Sequence, residues 1–167
     1  RKLYVEEAGR FLLPKPWGRE GADAAVRELT EGGELHALLA FIEDKIFRAM
    51  SNRDLRWNEL ALKTVLLTLL FKEASYVVYS EPELERTYAD LLLMRRPEAR
   101  GSSLWDLLFE LKRLALEDVG LSGREVRALD ADALYALEPV RDALDEAETQ
   151  ARGYRDVLVA RHGDDLR

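Results

Sequence analysis

Cysteine is absent from all 167 residues. That excludes a disulfide framework and any thiolate metal centre, and it fits a reducing cytoplasm. Histidine is scarce: the two present, His36 and His162, lie far apart without the spacing of a ligand pair, and both read as structural or surface residues. No apolar run reaches the length of a membrane span; the longest, residues 65–71, is broken by Thr68 and soon followed by charge. No secretory signal is visible. No Gly-rich phosphate loop ending in Gly-Lys-Ser/Thr is present, which argues against an NTPase. Internal repeats and low-complexity segments are lacking as well. A cytoplasmic protein with no membrane contact is expected. The chain opens on Arg1 rather than Met, which reads as a piece of something longer.

A basic excess is also missing. Asp and Glu outnumber Lys and Arg by 32 to 25, giving a net charge of −7. A free-standing DNA-binding module is usually basic, because neutralising phosphates drives its binding. An acidic chain would act on nucleic acid with the help of another domain or subunit, or with part of its acid serving as metal ligands. What is present in quantity is apolar and charged side chain, 47% and 34%. That balance belongs to a globular chain of one-domain size with a real core.

Hydrophobic periodicity divides the chain. Pro14, Pro16 and Gly18 punctuate the first twenty residues, where short strands or irregular structure are expected. Residues 21–50 read as two helices separated by Glu31-Gly32-Gly33. Val26 and Leu29 share a face of the first; Leu35, Leu38, Leu39, Ile42, Ile46 and Met50 form a stripe on the second. A break is expected at Ser51-Asn52-Arg53-Asp54. Residues 55–72 form a helix apolar on most sides, hence buried on more than one, with Glu59 in its first turns.

The period then changes. Tyr76-Val77-Val78-Tyr79 reads as a strand, residues 81–86 as a charged turn, residues 89–94 as a second strand, and residues 104–112 as a third after a loop containing Gly101. Short turns between three strands predict an antiparallel meander at one edge of a larger sheet. Ser122 and Asp130 are N-cap candidates for two short helices. A long helix is expected from Glu138 to about His162, with Pro139 near its first position and Gly163 at its end. Its abrupt stop suggests one further strand beyond Arg167.

Within this frame, Glu110 and Lys112 stand two apart on a strand and project to one face. Asp90 opens the preceding strand and approaches Glu110 if the two pair as a hairpin. Two carboxylates at the edge of an apolar sheet suit a hard divalent cation such as Mg²⁺. An ammonium beside them suits the charge and the water of phosphodiester hydrolysis. Gln150 and Tyr154, at i and i+4, share a face of the last helix. Glu59 is a charge on a buried helix and needs a reason. Each feature has a plainer reading. Glu-x-Lys alone is usually a same-face salt bridge, Asp90 alone a turn cap, Glu59 a partner of Lys63, and Gln150 and Tyr154 surface and core. Arg95, Arg96 and Arg100 fit either a phosphate track or a solvated loop. The ordered combination is what lifts the set above these readings.

That order resembles the PD-(D/E)XK nuclease superfamily, in its RecB-like branch with a Gln-x-x-x-Tyr motif. More narrowly, it is similar to the nuclease domain found C-terminal to a bacterial AAA-type ATPase domain. Asn58-Glu59, Ser80-Glu81 followed by Ala89-Asp90-Leu91-Leu92-Leu93, Phe109-Glu110-Leu111-Lys112, and Gln150-Ala151-Arg152-Gly153-Tyr154 carry the likeness. The resemblance implies an α/β fold, a mixed β-sheet flanked by helices with an αβββαβ core. It implies a linking segment and helical extension over 1–54 and a nuclease-like core over 55–167, with no last strand visible in the sequence. It implies Mg²⁺ or Mn²⁺ on Asp90 and Glu110, a catalytic Lys112, an accessory acid in Glu59, and support from Gln150 and Tyr154. The implied partners are nucleic acid, DNA foremost, and an AAA-type ATPase domain in the same longer chain. The net charge, and a turn before Asp90 that reads Arg86-Thr87-Tyr88-Ala89 without glycine, frame the alternative: a non-catalytic regulatory or interaction domain on the nuclease fold. A purely helical scaffold is a third reading, and requires residues 76–112 to form no sheet.

Overall fold

The computed structural model describes residues 16–46, 59–71, 75–85, 87–163 and Leu166, with backbone alone at 16–18 and 59. The linking segment up to residue 15, the break at 51–54, the helix start at 55–58, Met50, Arg86 and Asp164 lie outside the described residues.

Helix α1 (Pro16–Gly32) starts where irregular structure was expected. Proline lacks the N–H that a first helical turn leaves unbonded anyway, so Pro16 begins a helix rather than breaking one. Ala22, Ala25, Val26 and Leu29 form its buried stripe. The helix stops as predicted: Gly33 takes φ +78°, a conformation that costs a side chain with a Cβ about 1–2 kcal/mol. Helix α2 (His36–Phe41) continues into a wider π turn at Ile42–Ile46. Leu38, Ile42 and Ile46 are buried there, whereas Leu35 and Leu39 of the expected stripe face solvent. Helix α3 (Glu59–Leu70) buries Val65, Leu66, Leu69 and Leu70. Its two threonines return their hydroxyls to the i−4 carbonyls, Thr64 to Leu60 and Thr68 to Thr64, each at 2.7 Å, so Thr68 is buried with its donor satisfied.

Strands β1 (Tyr76–Ser80), β4 (Leu91–Arg95) and β5 (Leu107–Phe109) form one antiparallel sheet in the order β1-β4-β5. The expected meander is present, and a purely helical scaffold is excluded. Between β1 and β4 the expected charged turn folds on itself as a small hairpin, β2 (Glu83–Leu84) with β3 (Thr87–Tyr88). Two corrections follow. The pairs are all antiparallel among the described residues, so these strands do not make the expected mixed sheet; turns and loops join them, and parallel neighbours would need longer crossovers. The third strand is also much shorter than residues 104–112. At its start, Trp105 is drawn away to cap α1: its backbone N–H bonds Thr30 O at 2.8 Å and its indole N–H bonds Glu31 O at 3.0 Å. At its end, the Leu111 N–H is taken by the Asp90 carboxylate instead of a strand partner, at 2.7 Å.

Alternation along the strands sorts side chains into two layers. Tyr76, Leu91, Leu93, Leu107 and Phe109 join the buried residues of α1 to α3 in one core. Leu92, with Ala89 and Leu84, joins Tyr154 and Leu158 of the last helix in a second core, packed by Met94 and Leu108. The sheet is therefore covered by helices on both faces, and the chain is α/β with a small antiparallel sheet. Beyond β5 come three short helices, α4 (Leu116–Val119), α5 (Gly123–Ala128) and α6 (Ala131–Tyr135). Ser122 and Asp130 cap the latter two, as expected: Ser122 forms a reciprocal box with Glu125, and Asp130 Oδ1 accepts from the Ala133 N–H at 2.8 Å. Only α4 was not foreseen. Helix α7 (Glu138–His162) matches its predicted bounds, and Gly163 closes it at φ +53°.

Candidate active site

The pairing of β4 with β5 sets the position of the two sequence-predicted carboxylates. Leu91 faces Phe109 and Leu92 faces Leu108. One step outward, Asp90 and Glu110 are the residues just beyond this pairing, Asp90 before β4 and Glu110 after β5. Leu92 and Leu108 point to the α7 side. The Asp90 carboxylate locks the approach, because its Oδ2 accepts the Leu111 N–H at 2.7 Å. Glu110 is largely buried, its side chain 9% exposed, and its Oε2 is withdrawn from solvent.

Lys112 lies three residues past the end of β5, yet it still meets Glu110: Nζ stands 3.4 Å from Oε1. The ammonium is also held from the other side. It donates to Gln150 Oε1 at 2.7 Å and to Glu146 Oε1 at 3.0 Å, both on α7. Gln150 Nε2 donates to the same Glu146 oxygen at 3.1 Å, so the three side chains close a ring. Burial alone would lower the Lys112 pKa. The bond to Glu146 and the charges of Glu110 and Glu146 outweigh it and hold the group above its ordinary value. At neutral pH Lys112 is therefore an ammonium: it can orient an oxygen or offset negative charge, and it is not a base.

A second cation enters from α3. Lys63 is 4% exposed on a helix that is otherwise apolar or neutral after Glu59. Its Nζ donates to Glu81 Oε1 at 2.6 Å and stands 4.0 Å from Asp90 Oδ1. Glu81 sits just past β1 with φ +54°, and its N–H bonds the Asp90 carbonyl at 3.1 Å, which extends the β1–β4 ladder to the site. The bond from Lys63 and its charge hold the Glu81 carboxyl below its ordinary value.

The structure thus brings together Asp90, Glu110, Lys112 and Gln150 of the sequence-predicted set. Tyr154 belongs one turn further along α7. It is buried in the second core, and its hydroxyl donates to Tyr88 O at 3.0 Å, bracing the chain two residues before Asp90. Glu59 is the first residue of α3, and its side chain lies outside the described residues. Arg95 is not a phosphate track: it is buried against Asp106, with Nε and a terminal nitrogen 3.1 and 3.0 Å from Oδ2. Arg96 donates its Nε to Tyr76 O at 3.1 Å. His36 is exposed and His162 half-buried.

Three participants were not picked out as site residues from the sequence: Lys63, Glu81 and Glu146. Lys63 was legible as the sole cation within an apolar run. Glu146 was legible as the residue one turn before Gln150 on the same face. Glu81 stood in the Ser80-Glu81 pair that carries part of the family likeness, without a role assigned to it.

Among the described residues no group of three or more His, Cys, Asp or Glu side chains is arranged to hold a metal ion. Two carboxylates, with water and phosphate oxygens completing the shell, are what Mg²⁺ commonly takes from a protein, so the Asp90–Glu110 pair fits that donor chemistry. A groove of about 600 Å³ runs along α7 past Leu92, Trp105, Leu108, Ala151 and Leu158; it is separate from Asp90, Glu110 and Lys112. No helix among the described residues is long and apolar enough to cross a membrane. No protein-family model, curated protein or solved structure matches the chain.

Proposed function

We propose that this chain is a metal-dependent nuclease of the PD-(D/E)XK type, RecB-like branch, that hydrolyses nucleic-acid phosphodiester bonds, DNA foremost. One observation carries the reading: the Asp90 carboxylate accepts the Leu111 N–H, between Glu110 and Lys112, and Lys112, held by Gln150, stands against Glu110. The αβββα order of α3, the sheet and α7 supports the nuclease-like core. The site's formal charge supports a divalent cation. Asp90, Glu110, Glu81 and Glu146 supply four carboxylates against the ammoniums of Lys63 and Lys112, a surplus of two negative charges.

Asp90 and Glu110 would hold Mg²⁺ or Mn²⁺ as hard oxygen donors. The bound cation would supply charge to offset the scissile phosphate and would lower the pKa of a water. Lys112, charged at neutral pH and only one-quarter exposed, would orient that water or stabilise charge developing on the phosphate. Gln150 and Glu146 position the Lys112 ammonium, and Tyr154 holds the approach to Asp90. An AAA-type ATPase domain in the same longer chain would present the nucleic acid, which an isolated chain of net charge −7 would hold poorly.

The test is cleavage of plasmid and single-stranded DNA with Mn²⁺ or Mg²⁺. Asp90→Asn and Lys112→Ala are expected to lower the rate by at least about a hundredfold; equal activity in all three proteins would remove the reading. The alternative, a non-catalytic regulatory domain on the same fold, draws on the ring that ties Lys112 to Glu146 and Gln150. It requires no metal binding at millimolar Mn²⁺. Binding that Asp90→Asn abolishes would exclude it.

A further inference from the structure

Lys63 is the least expected charge in the molecule. Burying an ammonium is costly unless it is paired and hydrogen-bonded, and at 4% exposure Lys63 reaches two carboxylates from within the α3 core. One is Glu81, at 2.6 Å, whose side chain is 65% exposed. The other is Asp90, at 4.0 Å, which is 13% exposed and turned into the site. The two acids are joined through the backbone, since the Glu81 N–H bonds the Asp90 carbonyl at 3.1 Å. Their backbones therefore keep a fixed spacing while the ammonium at the end of a flexible side chain rests nearer one of the two carboxylates. Glu81 holds that place from a left-handed backbone conformation, uncommon for a residue other than glycine.

We propose that Lys63 is an internal competitor for the cation at Asp90, and that Glu81 is the seat that draws its ammonium away. This rests on the assignment of Asp90 and Glu110 as metal ligands. With the ammonium on Glu81, Asp90 keeps an oxygen for a divalent cation. With the ammonium on Asp90, the carboxylate is neutralised and the cation is repelled. The affinity of the site for metal is thus set by the balance of Lys63 between two acids, without any change of fold. A unit charge about 4 Å away is a large perturbation even under strong screening. Lys63 is accordingly a positioning residue that acts through Asp90.

The experiment is a calorimetric titration of Mn²⁺ into the whole chain as wild type, Lys63→Met, Glu81→Gln and the double variant, with circular dichroism as a check of the fold. Lys63→Met is expected to bind Mn²⁺ roughly tenfold more tightly or better. Glu81→Gln, at an exposed position that leaves the core intact, is expected to bind roughly tenfold more weakly. In the Lys63→Met background the effect of Glu81→Gln should largely vanish, because the residue it acts through is gone. Equal affinities, the reverse order, or a Glu81→Gln effect of the same size in both backgrounds would overturn the competition. If Lys63→Met fails to fold, an unchanged affinity in Glu81→Gln alone overturns it. An absence of Mn²⁺ binding in wild type would instead remove the metal assignment itself, and the competition with it.

Discussion

Lys112 decides what chemistry the proposed site would perform. Its ammonium meets oxygens from Glu110, Glu146 and Gln150, and the two acids keep it protonated well beyond neutral pH. A group whose folded pKa is raised contributes stability that is complete below its unfolded value, about 10.4. That stability is lost as the pH climbs through the folded value. The melting temperature lost in Lys112→Met should therefore be constant across neutral pH and shrink only in the alkaline range, followed by thermal unfolding at a series of pH values. A loss that varies between mildly acidic and neutral pH would contradict the assignment. Glu81 has the opposite sign: its depressed pKa gives stability present above the ordinary carboxylate range and lost as the pH falls through the folded value. Tyr154 makes a smaller point. Its hydroxyl bonds Tyr88 O inside the second core, so Tyr154→Phe should lower stability by about 1 kcal/mol in urea unfolding. No change at all would mean that the hydroxyl does not brace the approach to Asp90.

The elements that position these residues were legible in the sequence to very different degrees. Helices α5 and α7 and strand β1 lie close to where capping residues and periodicity put them, because Ser122, Gly163 and Tyr76-Val77-Val78-Tyr79 act through local geometry. The register of β4 against β5 stayed open, because residues 91–94 are apolar on both faces and a one-residue slip would bring no polar side chain into the core. What was not legible depended on distant partners. Strand β5 is short because Trp105 is spent on the end of α1 and Leu111 on Asp90, and neither bond leaves a trace in residues 104–112 themselves. The hairpin of β2 and β3 is too short and polar for a periodic signal. Lys63 and Glu81 meet only because α3 packs under the edge of the sheet. The two-faced burial of β4 is open to direct test. Leu92 and Leu93 point to opposite cores, and replacing either with alanine should cost about 2–5 kcal/mol in urea unfolding. A loss confined to Leu93→Ala would mean that α7 does not cover its face of the sheet.

The molecule as a whole places a dense knot of paired charge at one end of a small sheet, between α3 on one side and α7 on the other. Four carboxylates and two ammoniums gather there at the margin of two apolar cores, where water screens less and each charge matters more. An acidic chain is a poor ligand for nucleic acid by itself, so its proposed chemistry depends on local charge in the site and on a partner domain to deliver the substrate. Everything in that account turns on whether Asp90 and Glu110 share one cation. The most direct measurement is anomalous diffraction from crystals of the protein soaked in Mn²⁺. The account predicts one peak at the Asp90 and Glu110 carboxylates, absent in Asp90→Asn. No peak between them, or one held by Glu146 with Asp90 uninvolved, would contradict it.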